Sequence, residues 1–129
     1  MTARDDDYVE HKSAMGLGET VDHLVEIITK AGMSVFAKID HAAGAKEVGM
    51  AMPPAVVLIY GAARGGTPVM QAAPKAALDL PLRVLVRENE QGETLIAFHP
   101  IAHTLAPYAT PGELVDRLAK AQLLLVGGV

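Results

Sequence analysis

The sequence predicts an α+β fold: a two-layer sandwich in which two long helices cover one face of a mostly antiparallel sheet. Three observations carry this expectation. Two amphipathic stretches, each with a single apolar stripe, lie near opposite ends of the chain, from about residue 20 to 31 and from 110 to 126. Short runs that alternate or are wholly apolar precede and separate them, at 8–13, 33–39, 55–60, 82–87 and 93–98. The last two flank Asn89-Glu90-Gln91-Gly92, a turn in which Gly92 takes a positive φ, so they form a hairpin. A helix stripe and a sheet face each have an apolar side to bury, and stacking them buries both.

The elements follow in the order β-α-β-β-β-β-α. Residues 1–6 read as a disordered acidic lead-in, with Asp5, Asp6 and Asp7 following Arg4, and a single domain occupies 7–129. In the first strand Val9, His11 and Ser13 share one side and Tyr8, Glu10 and Lys12 the other. Gly16-Leu17-Gly18 leads into the first helix, where Thr20 or a neighbour is the expected cap. Val21, Leu24, Val25 and Ile28 form its buried face, and Gly32 ends it. The second strand places Met33, Val35, Ala37 and Ile39 against Ser34, Phe36 and Lys38.

A short helical insert follows, capped by Asp40 and stopped by Gly49. Pro53-Pro54 forces an extended entry into Ala55–Tyr60, which is apolar throughout and is expected to be covered on both faces. The glycine-rich segment 61–66 reads as a loop, with Thr67 capping and Pro68 opening a second insert that Pro74 interrupts. After the hairpin, Thr110 and Glu113 form a capping box for the last helix. Its stripe is Leu114, Leu118, Ala121 and Leu125, and Gly127-Gly128 ends it.

Composition excludes several functions. Half of the 129 residues are hydrophobic and 20% are charged, a folding composition. There is no Trp and there are only two Phe and three Tyr, so few aromatic platforms exist for stacking bases or sugars. The net charge is −4 with basic residues scattered, which speaks against nucleic-acid binding. The absence of Cys removes thiolate chemistry, disulfides, and Cys-ligated zinc and iron–sulfur sites. The N-terminus lacks the basic-then-apolar order of a secretory leader, and no apolar run is long enough to span a bilayer. A cytoplasmic protein without membrane association is therefore expected. No cofactor is identified.

Four groups of residues could carry chemistry. Gly61-Ala62-Ala63-Arg64-Gly65-Gly66-Thr67 has the glycine spacing of a phosphate loop, but Thr67 stands where the lysine belongs. A glycine-rich loop entering a helix beside Arg64 could still hold a small anion, which makes Arg64, Gly65, Gly66 and Thr67 the candidate ligand-binding set. The bland alternative is a helix-entry turn. Asp40-His41 could supply a carboxylate-oriented general base, or simply a helix cap and a surface turn. Asp79, a charge in an apolar stretch, is either a third catalytic candidate or a loop tie. His99 and His103 are four residues apart, but Pro100 places the first at a strand end. A metal there would need His11 or Asp79 as well.

Several stretches together resemble domain-of-unknown-function family 302 (DUF302). They are Phe36-Ala37-Lys38-Ile39-Asp40-His41-Ala42-Ala43, Ala45-Lys46-Glu47-Val48-Gly49 and Leu58-Ile59-Tyr60-Gly61. The pattern continues through Gly65-Gly66-Thr67-Pro68-Val69-Met70-Gln71, Pro74 and residues 77–86. The resemblance implies a strand–helix–four-strand–helix fold of the TATA-box-binding-protein-like kind and commonly a homodimer, with no established catalysis. Members often carry Asn-Pro after the glycine that ends the central strand, where this chain has Ala62-Ala63.

The leading expectation is a homodimeric domain that binds a small anionic or polar ligand where 40–41, 61–68 and 79 converge. The half-apolar sheet face bearing Leu85 and Leu95 would be a dimer surface or a ligand floor, the dimer forming through sheet or strand-edge contacts. The alternatives are a His/Asp enzyme, metal-assisted through His99 and His103, and a protein-interaction module.

Overall fold

The structure is a computed structural model that describes residues 2–5 and 8–129, the first four by backbone alone. Six strands form one antiparallel sheet in the spatial order β1-β2-β6-β5-β4-β3. They are β1 (Thr2–Asp5), β2 (Tyr8–Lys12), β3 (Ser34–Asp40), β4 (Ala55–Gly61), β5 (Leu82–Glu88) and β6 (Thr94–Phe98). The helices are α1 (Leu17–Lys30), α2 (His41–Glu47), α3 (Ala63–Ala72), α4 (Ile101–Leu105) and α5 (Gly112–Gly128), with 3-10 turns at Pro74–Asp79 and Ala106–Tyr108. This is the expected α+β sandwich with α1 and α5 as its long helices. Of the stretch 1–6, expected as an unstructured lead-in, Thr2–Asp5 pairs with β2 as an edge strand. Residues 1, 6 and 7 lie outside the described residues.

The core lies between the sheet and the helices. Leu58, Tyr60, Val84, Val86 and Ile96 project into it from the strands, and Leu24, Ile28, Leu118 and Leu125 from α1 and α5. Because α1 joins β2 to β3, it crosses from one side of the sheet to its far edge and packs over β3, β4 and β5. A buried hydroxyl chain anchors its start. Ser13 Oγ accepts from the Met15 amide at 3.1 Å and donates to Thr20 Oγ1 at 2.7 Å, and Thr20 donates to the Gly16 carbonyl at 2.8 Å. Thr20 therefore sits inside the first turn rather than capping it, and the cap position is Gly16.

Five further expectations are corrected. A bulge at Phe36 inserts one residue into β3, so Val35 faces inward with Tyr60 while Ala37 and Ile39 align with Ile59 and Val57 on the outer face. That outer face has no helix over it, so Val57 and Ile59 are only half-buried and β4 is not covered on both sides. The segment 61–68 is not a loop. Helix α3 starts at Ala63 and runs through Pro68, which has no N–H to give the Arg64 carbonyl. The capping box at Thr110 does not form, because Pro111 occupies the cap position and no side chain bonds there. The last helix continues through Gly127 and Gly128 instead of stopping before them.

The hairpin behaves as its residues dictate. Gly92 has φ 76°, and Asn89 Oδ1 accepts from the Gln91 and Glu93 amides at 3.0 and 2.9 Å. Lys12 and Asn89 contact the Glu93 carboxylate and hold its pKa below the ordinary glutamate value, tying β2 to the hairpin.

Candidate functional site

The sheet register decides which candidate residues can meet. Asp40 pairs with Val56 near the start of β4, whereas Gly61, opposite Ser34, is its last residue. Asp40-His41 and the 61–68 segment therefore lie at opposite ends of the sheet, about 17 Å apart at the rise of an extended strand. Asp40 serves the backbone, since its Oδ1 accepts from the Ala43 amide at 2.9 Å and caps α2, while His41 is exposed. The expected convergence of 40–41 with 61–68 does not occur, because β4 is long enough to hold its two ends apart.

Asp79 does lie at the Gly61 end, since Leu82 pairs with Tyr60. Its carboxylate accepts the Tyr108 hydroxyl, and this bond, more than burial, raises the tyrosine pKa. Asp79 lines a cleft of about 200 Å³ together with Arg83, His99, Thr104 and Gln122. His99 follows β6 and stands edge-on to Tyr8 at 6.4 Å, while His103 lies in α4. Among the described residues no group of three or more His, Cys, Asp or Glu side chains is placed to hold a metal ion.

Larger and differently made is a cavity of about 320 Å³ at the end of β4. Its walls come from Met33 and Phe36 beside β3, from Gly65, Gly66, Thr67 and Met70 on α3, and from Leu80, Pro81 and Leu82. Arg117, Leu118 and Ala121 of α5 close it. Among the described residues Thr67 and Arg117 are its only polar side chains. Of the candidate anion set, Gly65, Gly66 and Thr67 line this space and Arg64 does not. Their amides are committed to a helix: Gly65 and Gly66 donate to the Ala62 carbonyl at 3.0 and 3.1 Å.

Two glycines shape the cavity. A Cβ on Gly65 would come within 3.3 Å of Leu118 Cδ2, so its bare backbone lets α3 lie close on α5. Gly61 has φ 154°, a conformation that side chains rarely adopt, and turns the chain from β4 into α3 beside Pro81 and Phe36. Next to this region Tyr60 is fully buried with an unpartnered hydroxyl, and desolvation alone drives its pKa upward.

Sequence reasoning missed Met33, Phe36, Met70, Arg117 and Ala121 as site residues. A signal was present: Arg117, Ala121, Leu124 and Gly128 recur at i, i+4, i+7 and i+11, a second stripe on α5 beside the buried one. It also missed α4, for which Ile101 and Leu105, buried and four apart after Pro100, were the cue. Gln122 holds that segment. Its Oε1 accepts from the Ile101 amide and its Nε2 donates to the His99 carbonyl, both at 2.9 Å.

Comparison with known proteins adds the following. A family model described as "Domain of unknown function DUF302" matches residues 9–123. Proteins named fluoride-specific ion channel FluC 1 from Brucella suis biovar 1 and Brucella abortus biovar 1 are each 37% identical over 125 residues. The match takes in 97% of this chain but 49% and 46% of those relatives, so the chain spans about half their length. A crystal structure of an uncharacterized conserved protein DUF302 from Bacillus stearothermophilus superimposes with a TM-score of 0.85. That likeness covers 93% of this chain and 95% of that one at 18% identity, and it speaks for the fold alone.

Proposed function

We propose, from the premise that the chain belongs to the DUF302 family, that it is a binding domain for a small, mainly apolar molecule. The site is the cavity between α3, α5 and the ends of β3 and β4. One observation carries the reading: an apolar hollow of about 320 Å³ that, among the described residues, only two polar side chains bound, Thr67 and Arg117. Small-molecule sites are typically concavities of roughly this size, apolar with a few polar groups that orient the ligand. Among the described residues the wall carries no His, Asp, Glu, Lys or Tyr side chain, so it offers recognition rather than general acid–base catalysis. The ligand is accordingly less polar than the glycine-rich segment suggested.

Titration calorimetry and thermal unfolding with a series of neutral medium-chain alcohols test this. Saturating alcohol at about a hundred times its Kd is expected to stabilise the fold by about 2.7 kcal/mol. Gly66→Leu is expected to abolish the effect. A Cβ at Gly66 points to within 3.7 Å of Met70 Cε on the cavity wall, and Leu favours a helix over Gly, so the variant folds. Alcohols that leave both proteins unshifted would remove the proposal.

A homodimer through the outer sheet face is proposed alongside it. Glu10, Ala97, Leu85, Val57 and Ile39 align in one row across five strands of that face. Its centre is apolar and no helix covers it, which suits a self-complementary surface. Sedimentation should show a dimer that Leu85→Glu converts to monomer; wild type remaining monomeric at high concentration would refute it.

Channel activity, which the Brucella names attribute to proteins twice as long, is not proposed for this chain. No helix among the described residues is long and apolar enough to cross a membrane.

A further inference from the structure

The cavity is not isolated. Met33, Arg117 and Ala121 line both it and a wider, shallower groove that runs between the end of α1 and the last turns of α5. Ile27, Ala31, Leu123, Leu124 and Gly128 give that groove an apolar floor, and Lys120 joins Arg117 on it. Gly128 keeps the two helices close, since a Cβ there would fall 2.2 Å from Ile27 Cδ1. The two cations follow from the sequence: three residues apart on α5, they share a side of the helix.

Among the described residues the salt bridges are Lys12–Glu93, His23–Glu26 and Arg87–Glu10, and neither Arg117 nor Lys120 takes part in one. Among the described residues no acidic side chain lines the cavity or the groove. In a chain of net charge −4, an apolar hollow that opens onto two cations held in no salt bridge among the described residues suits a ligand with a negative end.

We infer that cavity and groove form one site for an anionic amphiphile, with the apolar tail inside the cavity and a carboxylate or phosphate at Arg117 and Lys120. The inference rests on the cavity reading above and names the ligand class. A volume of 320 Å³ equals about ten water-sized units, which suits one chain of about eight to ten carbons and not a two-chain lipid. The occupant is therefore a free single-chain acid rather than a bilayer surface. Arg117, which lines both spaces, sits where tail and head must meet.

The test compares octanoate, octanol and octyltrimethylammonium by calorimetry at low salt, with each ligand below its micelle concentration. Octanoate is expected to bind about three- to ten-fold more tightly than octanol, and the cationic amphiphile more weakly than either. Arg117→Ala with Lys120→Ala should remove the preference for the acid while octanol binding persists, whereas Lys46→Ala on α2, at the other end of the sheet, should change nothing. Equal affinity for all three ligands would overturn the inference and leave the cavity reading standing. Binding of none would overturn both. Cosedimentation with anionic phospholipid vesicles that octanoate fails to displace would also overturn it, in favour of a membrane surface. So would a self-association that Leu124→Asp dissolves and that frees the groove.

Discussion

Gln122→Leu is expected to destabilise the protein by about 1–3 kcal/mol, because it strands the buried Ile101 N–H and removes a donor from the His99 carbonyl. The wild-type amide serves both the Ile101 N–H and the His99 carbonyl at 2.9 Å, and Gln122 is itself only 4% exposed. Leucine matches its size and keeps the helix, so packing loss contributes little. What is lost is the acceptor of a buried N–H at the start of α4 and a donor to a carbonyl after β6. Urea unfolding measures the difference. Leu123→Ser, next along α5 but 51% exposed, should cost under about 0.5 kcal/mol. Equal effects at 122 and 123 would mean that helix propensity, not the amide's bridge, sets the energy.

Leu58→Ala is the second large effect, expected at about 2–5 kcal/mol. Leu58 lies mid-strand on β4 with no exposed surface, paired with Val84 and packed under the helices. Removing three carbons there forfeits apolar burial and leaves a hole that a six-stranded sheet cannot collapse around. Leu58 does not line the ligand cavity. The variant should therefore bind the same alcohols with unchanged affinity per folded molecule, while its urea midpoint falls. A midpoint within experimental error of wild type would show that this part of the sheet is not the packed centre it is taken to be.

The two effects mark which parts of the fold were written locally. The strand at 55–60 is legible from its unbroken apolar run, and Leu58 from its central place in it. The hairpin is legible from Gly92, and α2 from Asp40 and Gly49. The bridging role of Gln122 is not, because its two partners lie 21 and 23 residues away and nothing in the sequence brings them near. The helix at 63–72 was obscured for the opposite reason. Its local signals, two glycines followed by a proline at 68, argue against a helix that starts before Pro68. They are overruled because Gly65 packs against Leu118 of α5, a contact between segments more than fifty residues apart.

The sequence by itself determined the α+β class, the apolar face of α1, the hairpin and the family, since each rests on periodicity, turn chemistry or motif order within a short window. By contrast, α5 buries Val115 and Gln122 where Leu114 and Ala121 were expected. Only the tertiary structure decided the site. Strand pairing set Asp40-His41 apart from the 61–68 segment, and a single-residue bulge at Phe36 turned Ala37 and Ile39 to the outer face. The packing of α3 on α5 made an apolar hollow where the residues alone suggested a polar loop. Register and helix packing are sums over contacts between distant residues, and a local pattern carries no record of which distant residue will arrive.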